Sequence, residues 1–250
     1  MLARLGCHAR TVSIVLLVAG ATPVLFAQEF TAASETTDAD NPIGGPSDSP
    51  TWKGALADSL RLLMIEHTAR ITFQAKTRRE LPGPFFADYR SSLKMPSTWN
   101  DGDGWLVNYV GHPIHGAAAG FIWVDNERSA PDPAAGFSKP YWDSRTRAAI
   151  FAAAYSLQFE FGLLSEASVG NVGMRSNTTG WVDHVVTPAG AFGVMILEDM
   201  ADRYLIRKVE AKTTNPYWRG LARVALNPSR ALSNAAQGRA PWAPRIERYR

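Results

Sequence analysis

The chain predicts a mainly α protein, a compact helical bundle that follows a signal peptide and a disordered leader. Three observations carry that expectation. Apolar residues recur at three- and four-residue steps from Trp52 onward, three later apolar segments show no strand alternation, and a polar stretch separates all of this from a short apolar N-terminus.

The N-terminal segment "MLARLGCHARTVSIVLLVAGATPVLFA" places Arg4 and Arg10 before the apolar run Val12 to Leu17 and the small residue Ala27 before Gln28. That is the layout of a secretory signal over residues 1–27, so the chain is expected to be exported, to the periplasm or to a membrane-associated place in the cell envelope. Cys7 falls inside the signal. Its removal leaves a chain without cysteine, whose stability must come from packing and not from disulfides. Taking 27 from 250 leaves 223 residues, enough for one substantial domain. Without Arg4 and Arg10, 24 basic residues face 23 acidic ones, a balance that argues against a nucleic-acid partner.

Residues 28–50, "QEFTAASETTDADNPIGGPSDSP", hold too little apolar surface to offset the entropy of ordering and read as the leader. The helical domain is expected over residues 51–230. It opens with an amphipathic helix whose stripe is Trp52, Leu56, Leu60, Leu63, His67 and Ile71, ended by the prolines of "LPGPFF". The acidic and glycine residues of "WNDGDGW" suit tight turns better than calcium, which needs a longer ladder of oxygen ligands.

Helices are expected over 105–124, 146–167 and 185–205. Pro131, Pro133 and Pro140 mark the turn-rich segment between the first two, and "SVGNVGMRSNTTGW" lies between the second and third. In the last helix Pro188 is expected near the first position with Thr187 as its N-cap. Residues 231–250 read as a basic tail. Residues 217–250 carry seven Arg against Glu247 alone, a bias that points to an envelope lipid or membrane surface as partner.

The setting of these helices stays open between water and lipid. Residues 105–124 are 20 residues without a charge, and residues 148–167 hold only two glutamates. Alanine and glycine fill them, and "GAAAG" from Gly116 to Gly120 offers a small-residue face for close helix packing. Trp105, Trp123, Trp142 and Trp181 stand at segment edges, as an interfacial aromatic belt or ordinary core-edge packing would place them.

Polar residues inside apolar helices give the candidate site. Asn108, His112 and His115 fall on one helical stripe, with a kink or fresh start expected at Pro113. Glu160 lies between two phenylalanines, Glu166 follows, and Asp183, His184 and Thr187 come from the third region. Such a set has three chemistries. It can ligate Zn or Mn, with His112 and Asp183 as ligands. It can act as a metal-free acid/base pair, His112 with Glu160 or Asp183. Or it can form a buried hydrogen-bonded network that fixes helix register. The chain has no zinc-protease helix, nucleophile elbow or phosphate-binding glycine loop. Asn177 begins a glycosylation triplet, which we read as chance.

The order N-x-x-x-H-P-x-x-G (Asn108, His112, Pro113, Gly116), aromatic-Glu (Phe159, Glu160) with a second Glu166, D-x-x-x-T-P-x-G (Asp183, Thr187, Pro188, Gly190) and a closing "NPSR" (Asn227 to Arg230) resembles a bacterial envelope family of unknown function. The resemblance spans roughly residues 100–230. It implies an exported or membrane-associated protein of a Gram-negative bacterium and groups Asn108, His112, Glu160, Asp183 and Thr187 as one site, without supplying an activity. The chain departs from the pattern with Phe159 where Trp is expected and with a longer segment before Asp183.

Two functions are therefore expected. The first is a non-catalytic scaffold or binding module with a buried polar cluster. The second is a hydrolase of an envelope lipid or peptidoglycan component. In the hydrolase His112 and Asp183 are metal ligands or base and orienter, Glu160 the general acid or base, and Asn108 a donor to the reacting group.

Overall fold

The structure, a computed structural model, describes residues 51–81, 84–92, 96–101, 103–127, 135–166, 169 and 180–245. The signal, the leader, Pro131, Pro133 and Asn177 lie outside the described residues. The elements are α1 (Trp52–Phe73), α2 (Ala75–Glu80), α3 (Phe85–Ser92), a π-helical turn (Val107–Gly111), α4 (His112–Asn126), α5 (Lys139–Phe161), α6 (Trp181–Ala201), a second π-helical turn (Asp202–Ile206), α7 (Arg207–Lys212), α8 (Pro216–Leu226) and α9 (Pro228–Ala236). The mainly helical expectation holds, and among the described residues the only β pairing is an isolated bridge between Thr98 and Gly180.

α4 is the axis of the bundle. Every residue from Gly116 to Asp125 is buried, the pattern of a helix surrounded by others, and α1, α5, α6 and α9 pack around it. The small-residue face works as expected. A Cβ on Gly116 would stand 2.9 Å from Ala191 Cβ, and one on Gly120 would stand 2.5 Å from Met195 Sδ, so α4 and α6 touch closely only because these positions lack side chains. No helix among the described residues is long and apolar enough to cross a membrane.

The helix does not start afresh at Pro113 but runs on continuously from Trp105 through a π-helical turn. The His112 N–H bonds Val107 O five residues back, so the helix widens for one turn and re-forms with Pro113 in the first turn of α4. Proline has no N–H and would crowd the preceding turn; the wide turn relieves both conflicts.

Several boundaries and faces differ from expectation. α1 buries Ala55, Asp58, Leu62, Leu63, His67 and Arg70, while Trp52, Leu56 and Leu60 are half exposed. Of the predicted stripe, only Leu63 and His67 belong to the buried face. The helix is rotated because its polar residues have partners inside: Asp58 accepts from Asn126 Nδ2 at 2.9 Å, and Arg70 pairs with Glu166 at 2.6 Å. α1 also ends early, at an extended Gln74 (φ −99°, ψ 108°). α5 begins at Lys139, not 146, because the Ser138 hydroxyl caps the Tyr141 N–H and Pro140 sits in the first turn, where its missing N–H costs nothing. It ends at Phe161, before Glu166.

A further difference is α6, which starts at Trp181 and takes Pro188 into its interior, so Thr187 is not an N-cap. The start is fixed from outside the helix: Trp181 N–H and Val182 N–H donate to Thr98 O and Trp99 O at 3.0 and 2.9 Å. Gly180 makes this approach possible, since a Cβ there would lie 2.6 Å from both Trp99 O and Asp101 N.

The predicted edge of the domain at residue 230 falls inside α9. Ala231, Ser233, Asn234 and Ala236 are buried, with Ala236 in the core beside Ile122 and Tyr155. Gly238, at φ +70°, turns the chain back, and Asn234 Nδ2 donates to Pro241 O and Ala243 O at 3.1 Å. The "NPSR" segment opens α9: Glu198 of α6 accepts the Ser229 and Arg230 N–H groups at 2.8 and 3.1 Å. Arg239 and Arg245 of the expected tail turn inward and join Arg145 of α5 and Arg230 of α9. Arg230 and Arg145 reach Asp199 at 3.4 and 2.6 Å, Arg239 reaches Asp125 at 3.6 Å, and Arg245 lies 4.0 Å from Asp199. Burial alone would raise the Asp199 pKa; Arg145 and Arg230 outweigh it and hold the group below the usual carboxylate range.

Candidate metal centre

The residues singled out by sequence meet at one end of the bundle. His112 from the start of α4, Glu160 from the last turn of α5 and Asp183 from the first turn of α6 each offer a ligand atom, and these atoms lie within 4.8 Å of one another. Asp183 and Glu160 are 3% and 8% exposed, so water does little to screen their charges. His112 Nδ1 stands 3.3 Å from Asp183 Oδ1 and 3.4 Å from the Thr187 hydroxyl. Pro188 inside α6 thus has a counterpart in the site, with Thr187 just before it facing His112.

Donors are scarce here. Asp183 Oδ1 makes no hydrogen bond, and neither does Asn108 Oδ1, although both are buried. The Asn108 amide N donates to Asp101 Oδ1 at 2.7 Å, which fixes the side chain and leaves its oxygen unpartnered. Around His112 and Glu160 gather Glu66, Asp101, Glu166 and Asp183, with Arg70 as the opposing cation, itself 2.6 Å from Glu166.

This imbalance shifts the titrations. Burial, then the charges of Glu166 and Asp183, raises the Glu160 pKa well above the carboxylate range. Asp183 is pushed up to about 8 by burial and by Asp101 and Glu166. Burial pulls His112 below the usual histidine value. Without a cation the centre relieves its charge by keeping protons on carboxyl groups; with one, those protons can leave.

The other histidines look elsewhere. His115 Nδ1 lies 2.7 Å from Glu66 Oε1, and Tyr155 OH donates to Glu66 Oε2 at 2.9 Å. His184 stacks on Phe161 with ring centroids 4.7 Å apart, and burial lowers its pKa. His67 bonds Leu164 O through Nε2 at 2.8 Å and stacks on Phe159, holding the end of α5.

Sequence reading missed Glu66, Arg70 and Asp101. Asp101 passed as a turn residue; its burial at 5% and its hold on Asn108 arise because the 98–101 segment is pinned to α6 through Gly180. Glu66 and Arg70 lie on a helix whose predicted face was rotated. An Arg one turn after a Glu, Glu66 and Arg70, was the available signal.

The fold and site define a helical bundle with a buried, carboxylate-rich centre. Comparison of the chain with protein-family models, curated proteins and solved structures finds no significant match.

Proposed function

We propose that the protein is an exported binding module of the cell envelope that holds a divalent metal ion, with His112, Glu160 and Asp183 as ligands. The observation that carries the reading is the convergence of three ligand atoms within 4.8 Å, with the buried Asp183 Oδ1 left without a hydrogen bond. One imidazole and two carboxylates suit Zn²⁺ or Mn²⁺. A network that served only to fix register would pair its buried acceptors with donors, because each orphan costs about 1–3 kcal/mol. Here carboxyl groups crowd together, with His112 Nδ1 3.3 Å from Asp183 Oδ1, and they stay neutral only by retaining protons that a bound cation would replace.

Asn108 and Thr187 support the ligands, Asn108 through Asp101 and Thr187 beside His112 Nδ1. Hydrolysis of an envelope lipid or peptidoglycan bond would need substrate and water to reach the ion. The burial of Glu160 and Asp183 favours a retained ion over turnover. Export rests on the signal-like N-terminus, with Arg4 and Arg10 ahead of the apolar run.

The test is a titration of metal-stripped protein with Zn²⁺ and with Mn²⁺ in a calorimeter, repeated in two buffers of different ionisation heat. One-to-one binding that releases protons is expected, and Asp183→Asn and Glu160→Gln, which keep the side-chain shapes, should each weaken it by tenfold or more, on the order of 1.4 kcal/mol. Binding unchanged in both variants would refute the assignment.

A further inference from the structure

We propose that the face built by α7 and α8 docks on the surface of a bilayer containing anionic phospholipid. This inference is independent of the metal centre. α8, "PYWRGLARVAL", has no buried residue, although Tyr217, Trp218 and Leu221 are large and apolar; they stand 67%, 55% and 45% exposed. A helix of this kind, packed at the edge of a bundle with its aromatic residues outward, is unfinished as a water-facing surface.

The surface has depth as well as composition. A groove of about 390 Å³ runs between α7 and α8, lined by Val209, Trp218, Leu221, Ala222 and Ala225, with Lys212 beside it. A second groove, of about 310 Å³, is lined by Tyr109, Val110, Leu197, Ala201 and Leu226. Leu226 is one turn from Ala222 on the same helix, so α8 borders both grooves. At the outer edge Trp105 stacks on Tyr109 with centroids 5.8 Å apart, and Trp99 Nε1 donates to the Tyr109 hydroxyl at 3.1 Å. Indole and phenol rings with one polar atom each are the side chains that settle between acyl chains and headgroups.

Charge selects the occupant. Arg207, Lys208, Lys212 and Arg219 are exposed on α7 and α8. The two acidic residues of the same stretch are outnumbered and engaged at home: Glu210 pairs with Arg223 at 2.7 Å and lies 3.9 Å from Arg219, and Asp202 lies 3.8 Å from both Arg207 and Arg223, which leaves Lys208 and Lys212 to carry the outward charge. A basic rim around an apolar centre complements phosphate headgroups above acyl chains. The same rim disfavours a second copy, because an isologous contact would set these cations against their own kind. Of the seven arginines of 217–250 expected to serve this purpose, Arg219 lies on this face, while Arg230, Arg239 and Arg245 are drawn in on Asp125 and Asp199.

The test is hydrogen–deuterium exchange on the full chain, read peptide by peptide, with vesicles of phosphatidylcholine alone and with phosphatidylglycerol added. The local readout separates this face from any attachment by the N-terminal segment. Exchange across residues 204–226 is expected to slow with phosphatidylglycerol and to recover in roughly 0.5 M salt. Trp218→Ser with Leu221→Ser should abolish the protection. Lys208→Glu with Lys212→Glu, both at exposed positions, should weaken vesicle affinity by about fivefold or more per residue. Unchanged exchange over 204–226, equal protection by both vesicle types, or protection that persists in both variants would overturn the proposal. Protection that appears with rising protein concentration and no vesicles would assign the face to a second copy, and would overturn it too.

Discussion

Asp183 and His112 pull the stability of the metal-free protein in opposite directions as pH changes. Asp183 titrates near 8 in the fold against about 4 in an unfolded chain. Between those values the folded state holds the extra proton, so the contribution is present at low pH and is lost as pH rises to about 8. His112 is lowered in the fold, so the unfolded chain binds the extra proton below about 6.5, and its contribution grows as pH rises through that window. Melting of metal-stripped protein should therefore fall between pH 6.5 and 8, where His112 no longer offsets the carboxyls. Asp183→Asn should flatten that fall, and thermal melts at four or five pH values would show it; an unchanged slope would contradict the shift.

At this scale much of the site was legible. A histidine followed by proline, a glutamate between phenylalanines and an aspartate before a second proline are costly in apolar helices, and the three meet. Asp101 was not legible, because its role depends on a contact with a segment some eighty residues away.

Among the elements, the 98–101 segment and the start of α6 act as one unit, joined at Gly180. Gly180→Ala would press a methyl group onto Trp99 O and Asp101 N. The expected cost is about 1–3 kcal/mol in denaturant unfolding. Displacing Asp101 also frees Asn108, so metal affinity should fall several-fold although no ligand is changed. A variant of normal affinity and normal stability would show that the bridge positions nothing.

The elements also explain where sequence reading lost accuracy. In α1 the leucines advertised a face that the fold leaves exposed, because hydropathy cannot weigh Asp58 and Arg70 against partners on other helices. In α6 Pro188 looked like a helix start; the true cap is supplied by carbonyls of a distant loop. At α4 the local chemistry sufficed, since the lost N–H of Pro113 and the small residues after it act within one or two turns.

On the scale of the whole molecule, two buried polar centres have opposite balances. At Asp125 and Asp199 arginines neutralise acids, and the arrangement ties α4, α5, α6, α9 and the C-terminal segment together. Arg145 is fully buried beside Asp199, so Arg145→Ala should remove the shortest Asp199 ion pair, leaving Arg230 at 3.4 Å, and cost about 1.5–3 kcal/mol of stability by urea unfolding. Metal stoichiometry of the fraction that folds should not change, because the two centres share no residue. At His112 the acids exceed the cations, and a metal ion would supply the missing charge. The most direct measurement is elemental mass spectrometry on protein purified without added metal, with melts taken before and after chelation. About one Zn or Mn per chain is expected, with a melting temperature that drops on chelation and loss of both effects in His112→Ala and Asp183→Asn. Metal-free protein that fails to take up either ion, with a melt insensitive to chelator, would contradict the metal assignment and leave His112 as a residue that holds helices in register.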